Sequence, residues 1–191
     1  MPRAGLNADV LVSAAAELAD EAGWEAVTLS ALARRFGVAD ASLYAHVRNR
    51  EDLRNRVAVR AAAEFADALG LAVAGRSGED ALAAFAGAYR AFAVEYPGRY
   101  AATQIQLPRE VGTESAGHWK LIGISYAVLR EYDLPEPAAT DAVRLLRSTF
   151  HGFAALEASG GFGHPRDIGE SWRIAIRALH QALIHWPGER T

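Results

Sequence analysis

An all-α fold of about nine helices is what this sequence predicts, and three observations carry that expectation. Apolar residues return at intervals of three and four along most of the chain, the period of one helix face. Glycine and proline cluster between these runs, at Gly23, Gly37, Gly75 to Gly78, Pro97-Gly98, Pro135 to Pro137 and Gly160-Gly161. No segment alternates apolar and polar residues over the length of a strand. The elements sort into an N-terminal three-helix unit, residues 1–48, and a larger helical region, residues 49–191.

The first helix is expected from Asn7, whose side chain suits a cap, to Ala22, with Val10, Ala14 and Leu18 inward and Gly23 ending it. Thr28 caps a short second helix, in which Leu29, Leu32, Ala33 and Phe36 repeat at i, i+3, i+4 and i+7. Gly37 follows at once, where a helix C-terminus needs a positive φ that glycine adopts at little cost. Val38 is expected to plug the angle to a third helix, from which Leu43 and Val47 point inward. Asn49 caps a long helix with Leu53, Val57, Ala61 and Phe65 on one stripe, ending near Gly70. Helices follow over 79–96, 99–106, 113–132, 137–158 and 166–186. Trp119, Ile122, Tyr126 and Leu129 share one face of the third of these. No repeat or low-complexity segment interrupts the series.

Residues 28–50 carry the functional signal. Two short helices joined by a tight turn form a helix-turn-helix, which lays its second helix in the major groove of DNA. With Leu43 and Val47 inward, Ala41, Ser42, Tyr44 and Ala45 are left outward or at the flank. Small side chains let a helix approach base edges closely. A serine hydroxyl can bond a base or a phosphate, and an alanine can touch a thymine methyl.

Gly37-Val38, Leu43-Tyr44-x-His46-Val47, Asn49-Arg50 and Leu53 together resemble the signature of TetR-type transcriptional regulators. Glu21-Ala-Gly-Trp24 and Val27-Thr28-Leu29 extend the resemblance over about 50 N-terminal residues. It implies that Thr28, Tyr44, His46 and Arg50 touch phosphates, while Asp40, Ala41 and Ser42 face bases. Three positions depart from the usual pattern. Ala39 stands where a capping Ser or Thr is usual, Asp40 sets an anion toward the groove, and Ser30 replaces a longer polar side chain. The run from Phe150-His-Gly-Phe153 through Glu157-Ala-Ser-Gly-Gly-Phe-Gly163 also resembles the C-terminal domain of one branch of these regulators.

Charge is consistent with this locally. The chain carries a formal net charge of −3, which is not that of a general nucleic-acid binder. From Arg34 to Arg60, however, seven arginines face only Asp40, Glu51 and Asp52. A basic patch on a mildly acidic body attracts phosphate through counterion release without coating the whole molecule. Arg3 could add an N-terminal contact. With no cysteine, neither a disulfide nor a thiolate metal site is available. The longest run free of Asp, Glu, Lys and Arg, Ala178 to Gly188, is eleven residues, short of the roughly 18 that a spanning helix needs. Asp9 and Glu17 interrupt any signal-peptide core, so a cytoplasmic protein is expected, with no membrane partner.

Two tasks are expected of the region after residue 70. A short reading helix selects few base pairs, so a two-fold partner is needed. Half-sites then lie about 34–36 Å apart, or at multiples of that. The stripes Val143, Leu146, Phe150, Phe153 and Trp172, Ile176, Leu179, Leu183 make the last two helices the candidate homodimer interface, although such stripes also simply pack cores. The other task is sensing. Phe85, Tyr89, Phe92, Tyr96, Trp119 and Tyr126, with Gln104, His118, Arg147 and His151 as polar contacts, are the candidate pocket for a small-molecule inducer. The resemblance thus implies a repressor of a palindromic double-stranded DNA operator, released by that ligand. The alternative is a DNA-silent ligand-binding or adaptor protein on the same scaffold, suggested by Ala39 and Asp40. No cofactor, metal or catalytic residue is expected. Gly123-Ile-Ser125 lacks the following glycine of a nucleophile elbow, and His180 and His185 are badly spaced for one helix face.

Overall fold

The structure, a computed structural model, describes residues 5–187; Arg3 and Gly188 lie outside the described residues. Nine α-helices form among these residues, and no strand. They are α1 (Ala8–Ala22), α2 (Leu29–Phe36), α3 (Arg50–Val73), α4 (Gly78–Glu95), α5 (Pro97–Thr103), α6 (Arg109–Glu114), α7 (Ala116–Val128), α8 (Ala138–Ala158) and α9 (Ile168–Ile184). Short 3₁₀ segments occupy Trp24–Ala26, Asp40–Ala45 and Arg130–Tyr132.

The expected number of helices arises through two differences that offset each other. The element expected as the third helix is the 3₁₀ segment Asp40–Ala45, while α6 forms mostly ahead of the element expected over 113–132, which itself starts at Ala116 as α7. Ser115 separates α6 from α7. It is buried, and its hydroxyl accepts from the His118 N–H at 3.5 Å and bonds His118 Nδ1 at 2.7 Å, so α7 starts afresh on a serine cap. The face shared by Trp119, Ile122, Tyr126 and Leu129 is unevenly packed. Trp119 is 58% exposed and Ile122 is exposed as well, Tyr126 is half-buried, and only Leu129 is fully packed.

Packing divides the chain into two compact units, residues up to Phe65 with Glu95–Trp119, and Ala66–Val94 with 120–191. The first unit is built on Leu11, Ala15 and Ala19 of α1, Leu29 and Leu32 of α2, Leu43, Val47, and Leu53, Val57 and Ala61 of α3. The inward face of α1 is thus turned from the expected one. Ala14 is buried, but Val10 and Leu18 are only half-buried, because Leu11 takes the central place. Val38 is exposed and does not plug the turn. Against α1 lies α5. Its Arg99 N–H donates to Asp20 Oδ1 at 2.8 Å, and the guanidinium lies 2.9 Å from Asp20 and 3.3 Å from Glu64. Burial pushes the Asp20 carboxyl above its ordinary value, against the pull of the Arg99 N–H and charge.

The second unit centres on aromatic rings. Phe150 of α8 lies 6.0 Å from Phe85 and 5.4 Å from Tyr89 of α4, and 5.5 Å from Trp172 of α9, centroid to centroid. Leu146, Ile176, Leu179 and Leu183 complete this core. Arg90 of α4 reaches across to Glu157 of α8 with two hydrogen bonds, 2.7 and 2.5 Å, both partners being largely buried. Tyr132 bonds His180 Nδ1 at 2.9 Å, and burial pushes the phenol up to about 12.

Candidate nucleic-acid interface

The local rules of capping build the turn. Thr28 Oγ1 accepts from the Ala31 N–H at 3.2 Å and starts α2. Gly37 ends it at φ 65° and ψ 34°, its N–H turned back to the carbonyls of Ala33 and Arg34. Ala39 then opens the segment Asp40–Ala45 without a side-chain cap. Leu43 is fully buried and Val47 nearly so, which fixes the segment's rotation about its axis. Truncation of such a leucine to alanine costs about 2–5 kcal/mol. With Leu43 inward, Asp40, Ala41, Ser42, Tyr44 and Ala45 are exposed, and Tyr44 keeps 57% of its surface. Thr28 and His46 are half-buried at the margins.

Side chains distant in sequence hold this surface in place. Arg35 of α2 bonds Glu21 at 2.8 Å and Glu17 at 2.9 Å on α1. Ser30 Oγ donates to Asp40 Oδ2 at 2.5 Å, tying α2 to the reading segment. Arg50, expected at a phosphate, has its Nε on the Val27 carbonyl and one Nη on the Glu25 carbonyl, both at 3.1 Å. Arg54 lies over the Trp24 ring at 4.4 Å and bonds Glu25 at 2.8 Å. The Arg54 hydrogen bond and charge, with Arg50 behind them, hold the Glu25 carboxyl below its ordinary value.

The start of α3 is fastened in the same way. Asn49 Oδ1 accepts from the Asp52 N–H at 2.8 Å, and Asp52 accepts from the Arg48 N–H at 2.9 Å. Burial raises the Asp52 carboxyl, but the Arg48 N–H and Arg56 outweigh it and the net shift is downward. The basic excess of the sequence is therefore mostly spent, since Arg35, Arg50, Arg54 and Arg60 pair with Glu17, Glu21, Glu25 and Glu64. Arg34 makes no ion pair among the described residues, and Arg48 keeps 84% of its side chain exposed beside Asp52. These two are the cations left at the exposed edge, and charge counting did not single them out. Arg48, Asn49, Arg56 and Arg60 also line a groove of about 800 Å³ with Val12, Val59 and Pro108.

The ten candidate pocket residues are divided between the two units. Tyr96, Gln104, His118 and Trp119 belong to the first unit, and Phe85, Tyr89, Phe92, Tyr126, Arg147 and His151 to the second. Phe85 and Tyr89 are buried in ring packing and Phe92 is buried, while Arg147 and His151 are exposed on α8. Trp119 Nε1 donates to the Thr113 carbonyl at 2.9 Å, and Tyr126 bonds Thr140 at 2.8 Å. None of the ten lines the groove by Arg48, nor the smaller hollows by Phe153 and Val73. In the last two helices Leu146, Phe150, Trp172, Ile176, Leu179 and Leu183 of the stripes face the core, while Val143 and Phe153 are half-buried. A separate apolar set, Leu145, Leu156 and Ile174, is exposed.

Residues 11–57 match the family of bacterial regulatory proteins described as the tetR family, and residues 82–179 match a tetracyclin repressor-like C-terminal domain. YobS of Bacillus subtilis (strain 168), an uncharacterized HTH-type transcriptional regulator, is 34% identical over 183 residues, 96% of this chain and 95% of its own. Rv0681 of Mycobacterium tuberculosis, also an uncharacterized HTH-type transcriptional regulator, is 36% identical over 158 residues, 82% of this chain and 72% of its own. In fold, the chain is similar to Streptomyces coelicolor ActR, a TetR family protein whose crystal structure was solved in complex with (S)-DNPA. That likeness has a TM-score of 0.68 at 18% identity, over 97% of this chain and 100% of that one.

Proposed function

The chain belongs to the TetR family of bacterial transcriptional regulators, and from that premise we propose that it is a repressor, bound to a palindromic double-stranded operator as a homodimer and released by a small molecule. The observation that carries this reading is the exposed row Asp40, Ala41, Ser42 and Tyr44 above a fully buried Leu43. A side-chain row of this kind, on a segment whose rotation the core fixes, fits the floor of a major groove. Residues 1–48 do the reading, and residues 49–191 pair the subunits and bind the ligand. Ala41 and Ser42 face bases, while Thr28, Tyr44 and His46 take phosphates together with Arg34 and Arg48. Arg50 acts one step back, by holding the carbonyls of Glu25 and Val27.

The ligand-bound relative ActR supports a sensing role for the second unit. Its aromatic core around Phe85, Tyr89 and Phe92 supplies the apolar contacts for an inducer, which acts only through its different affinity for the DNA-bound and released states. The protein works by binding and not by catalysis. No helix among the described residues is long and apolar enough to cross a membrane, and a cytoplasmic regulator is the reading that fits.

A salt titration on a selected duplex tests this. Affinity should fall steeply, with a log–log slope of about −0.9 per neutralised phosphate. Tyr44→Ala is expected to weaken all sequences alike, by about 1 kcal/mol for one lost phosphate hydrogen bond. A loss confined to one base position would contradict that role. Arg50→Ala is expected to lower the thermal midpoint and the affinity while leaving the slope unchanged, because its guanidinium is engaged by carbonyls. A slope reduced by about one would return it to the phosphates. A flat salt response in the wild type would favour the adaptor.

A further inference from the structure

Asp40 is the unexpected residue of the reading surface, since a carboxylate brought against a polyanion is repelled unless something there donates a proton to it. Its neighbours settle what that donor has to be. Ser30 of α2 gives its hydroxyl proton to Asp40 Oδ2 at 2.5 Å, a charge-assisted bond that fixes the plane of the carboxylate. Arg34, one turn further along α2, has its Nε on the Ser30 carbonyl at 3.4 Å. Asp40 Oδ1 is left with its lone pairs, on an exposed residue next to Ala41 and Ser42, which offer no bulk to keep a base away.

We propose that Asp40, oriented by Ser30, reads the exocyclic N4 amine of a cytosine in each half-site. This inference rests on the DNA-reading assignment above and gives it a base. The major groove offers only two kinds of proton donor, cytosine N4 and adenine N6. In an A·T pair the amine lies between two acceptors, adenine N7 and thymine O4. In a C·G pair it lies at one end, with the guanine O6 and N7 acceptors on the other side only. An anion therefore meets acceptor lone pairs on both sides of adenine N6 and on one side of cytosine N4. Cytosine is the better partner. Guanine or thymine at the same place presents no donor and is rejected outright.

Selection of bound duplexes from a random library by the full-length protein and its variants tests this. The wild type is expected to return a two-fold symmetric motif with cytosine at one fixed place per half-site, preferred by roughly tenfold or more over the other bases. Asp40→Asn keeps an oxygen for Ser30 and adds a donor, and it is expected to move that position toward adenine, whose N6 and N7 suit an amide. Asp40→Ala is expected to make the position degenerate while the rest of the motif persists, and Ser30→Ala to weaken the cytosine preference. The proposal is overturned if Asp40→Ala returns the wild-type motif, or if its only effect is a lower thermal midpoint, as a purely structural tie would give. A wild type that selects no motif would instead remove the DNA-reading assignment, and this inference with it.

Discussion

Ile174→Asp, or Leu156→Asp, is expected to leave the folded monomer intact and to weaken operator binding by about 10²- to 10⁴-fold, the advantage that linking two reading heads confers. Leu145 and Leu156 lie eleven residues apart on α8, three helical turns, so they share a face. Ile174 exposes 43% of its surface on α9 and Leu156 exposes 47% on α8. Removing exposed side chains costs the monomer little. In a two-fold interface, however, each substitution occurs twice and buries a carboxylate without a partner. The check is the mass of the protein by light scattering at micromolar concentration, measured beside its affinity for a full palindrome and for a single half-site. The variant should be monomeric, with half-site affinity unchanged. Leu71 of α3, at 82% exposed the barest large apolar residue among the described residues, is the comparison. If Leu71→Asp dissolves the dimer and the α8 and α9 variants do not, the interface has been placed on the wrong helices.

That surface also shows where sequence periodicity stops being informative. Phe150 and Trp172 announce a buried stripe, and they are buried. A helix with two apolar faces yields the larger one first, and nothing local says whether Leu145 and Leu156 meet solvent or a partner. The turn was legible because its causes are local. The Thr28 cap spans three residues, and Gly37 is read from its own φ requirement. The Ser115 cap was readable on the same grounds, from a serine three residues before His118, but the helix was read from Thr113, two residues too early. Between distant residues the sequence was silent. That Arg50 at the start of α3 meets the carbonyls of Glu25 and Val27, and that Ser30 of α2 meets Asp40, depends on how the chain folds back on itself around the turn. Counting charges from Arg34 to Arg60 failed for the same reason, since Glu17, Glu21 and Glu25 enter the patch from outside that window.

Gly98→Ala is expected to destabilise the first unit by about 3 kcal/mol or more, the upper range for forcing a group into packed structure. A Cβ there would lie 2.0 Å from the Ala19 carbonyl carbon, 2.1 Å from its oxygen and 2.5 Å from the Asp20 nitrogen. All three are backbone atoms of α1, which cannot turn aside as a flexible side chain could. Relief requires α5 to lift from α1. That movement in turn pulls the Arg99 N–H from Asp20 and leaves a carboxylate already penalised by burial short of its donor. The loss should therefore spread to Leu11, Ala15 and Ala102, and through them to the seat of Leu43 beneath the reading row. Chemical denaturation followed by hydrogen exchange provides the check, with the largest loss of protection expected in α1 and α5. Gly87 is the internal control. It sits exposed within α4 with nothing within 4 Å of its Cβ position. There the same substitution only removes backbone freedom from the unfolded chain, and it should stabilise by about 0.4–1 kcal/mol. Opposite signs from one chemical change would tie the cost at Gly98 to the approach of two helices. A Gly98→Ala protein as stable as the wild type would mean that α5 does not seat on α1 this closely.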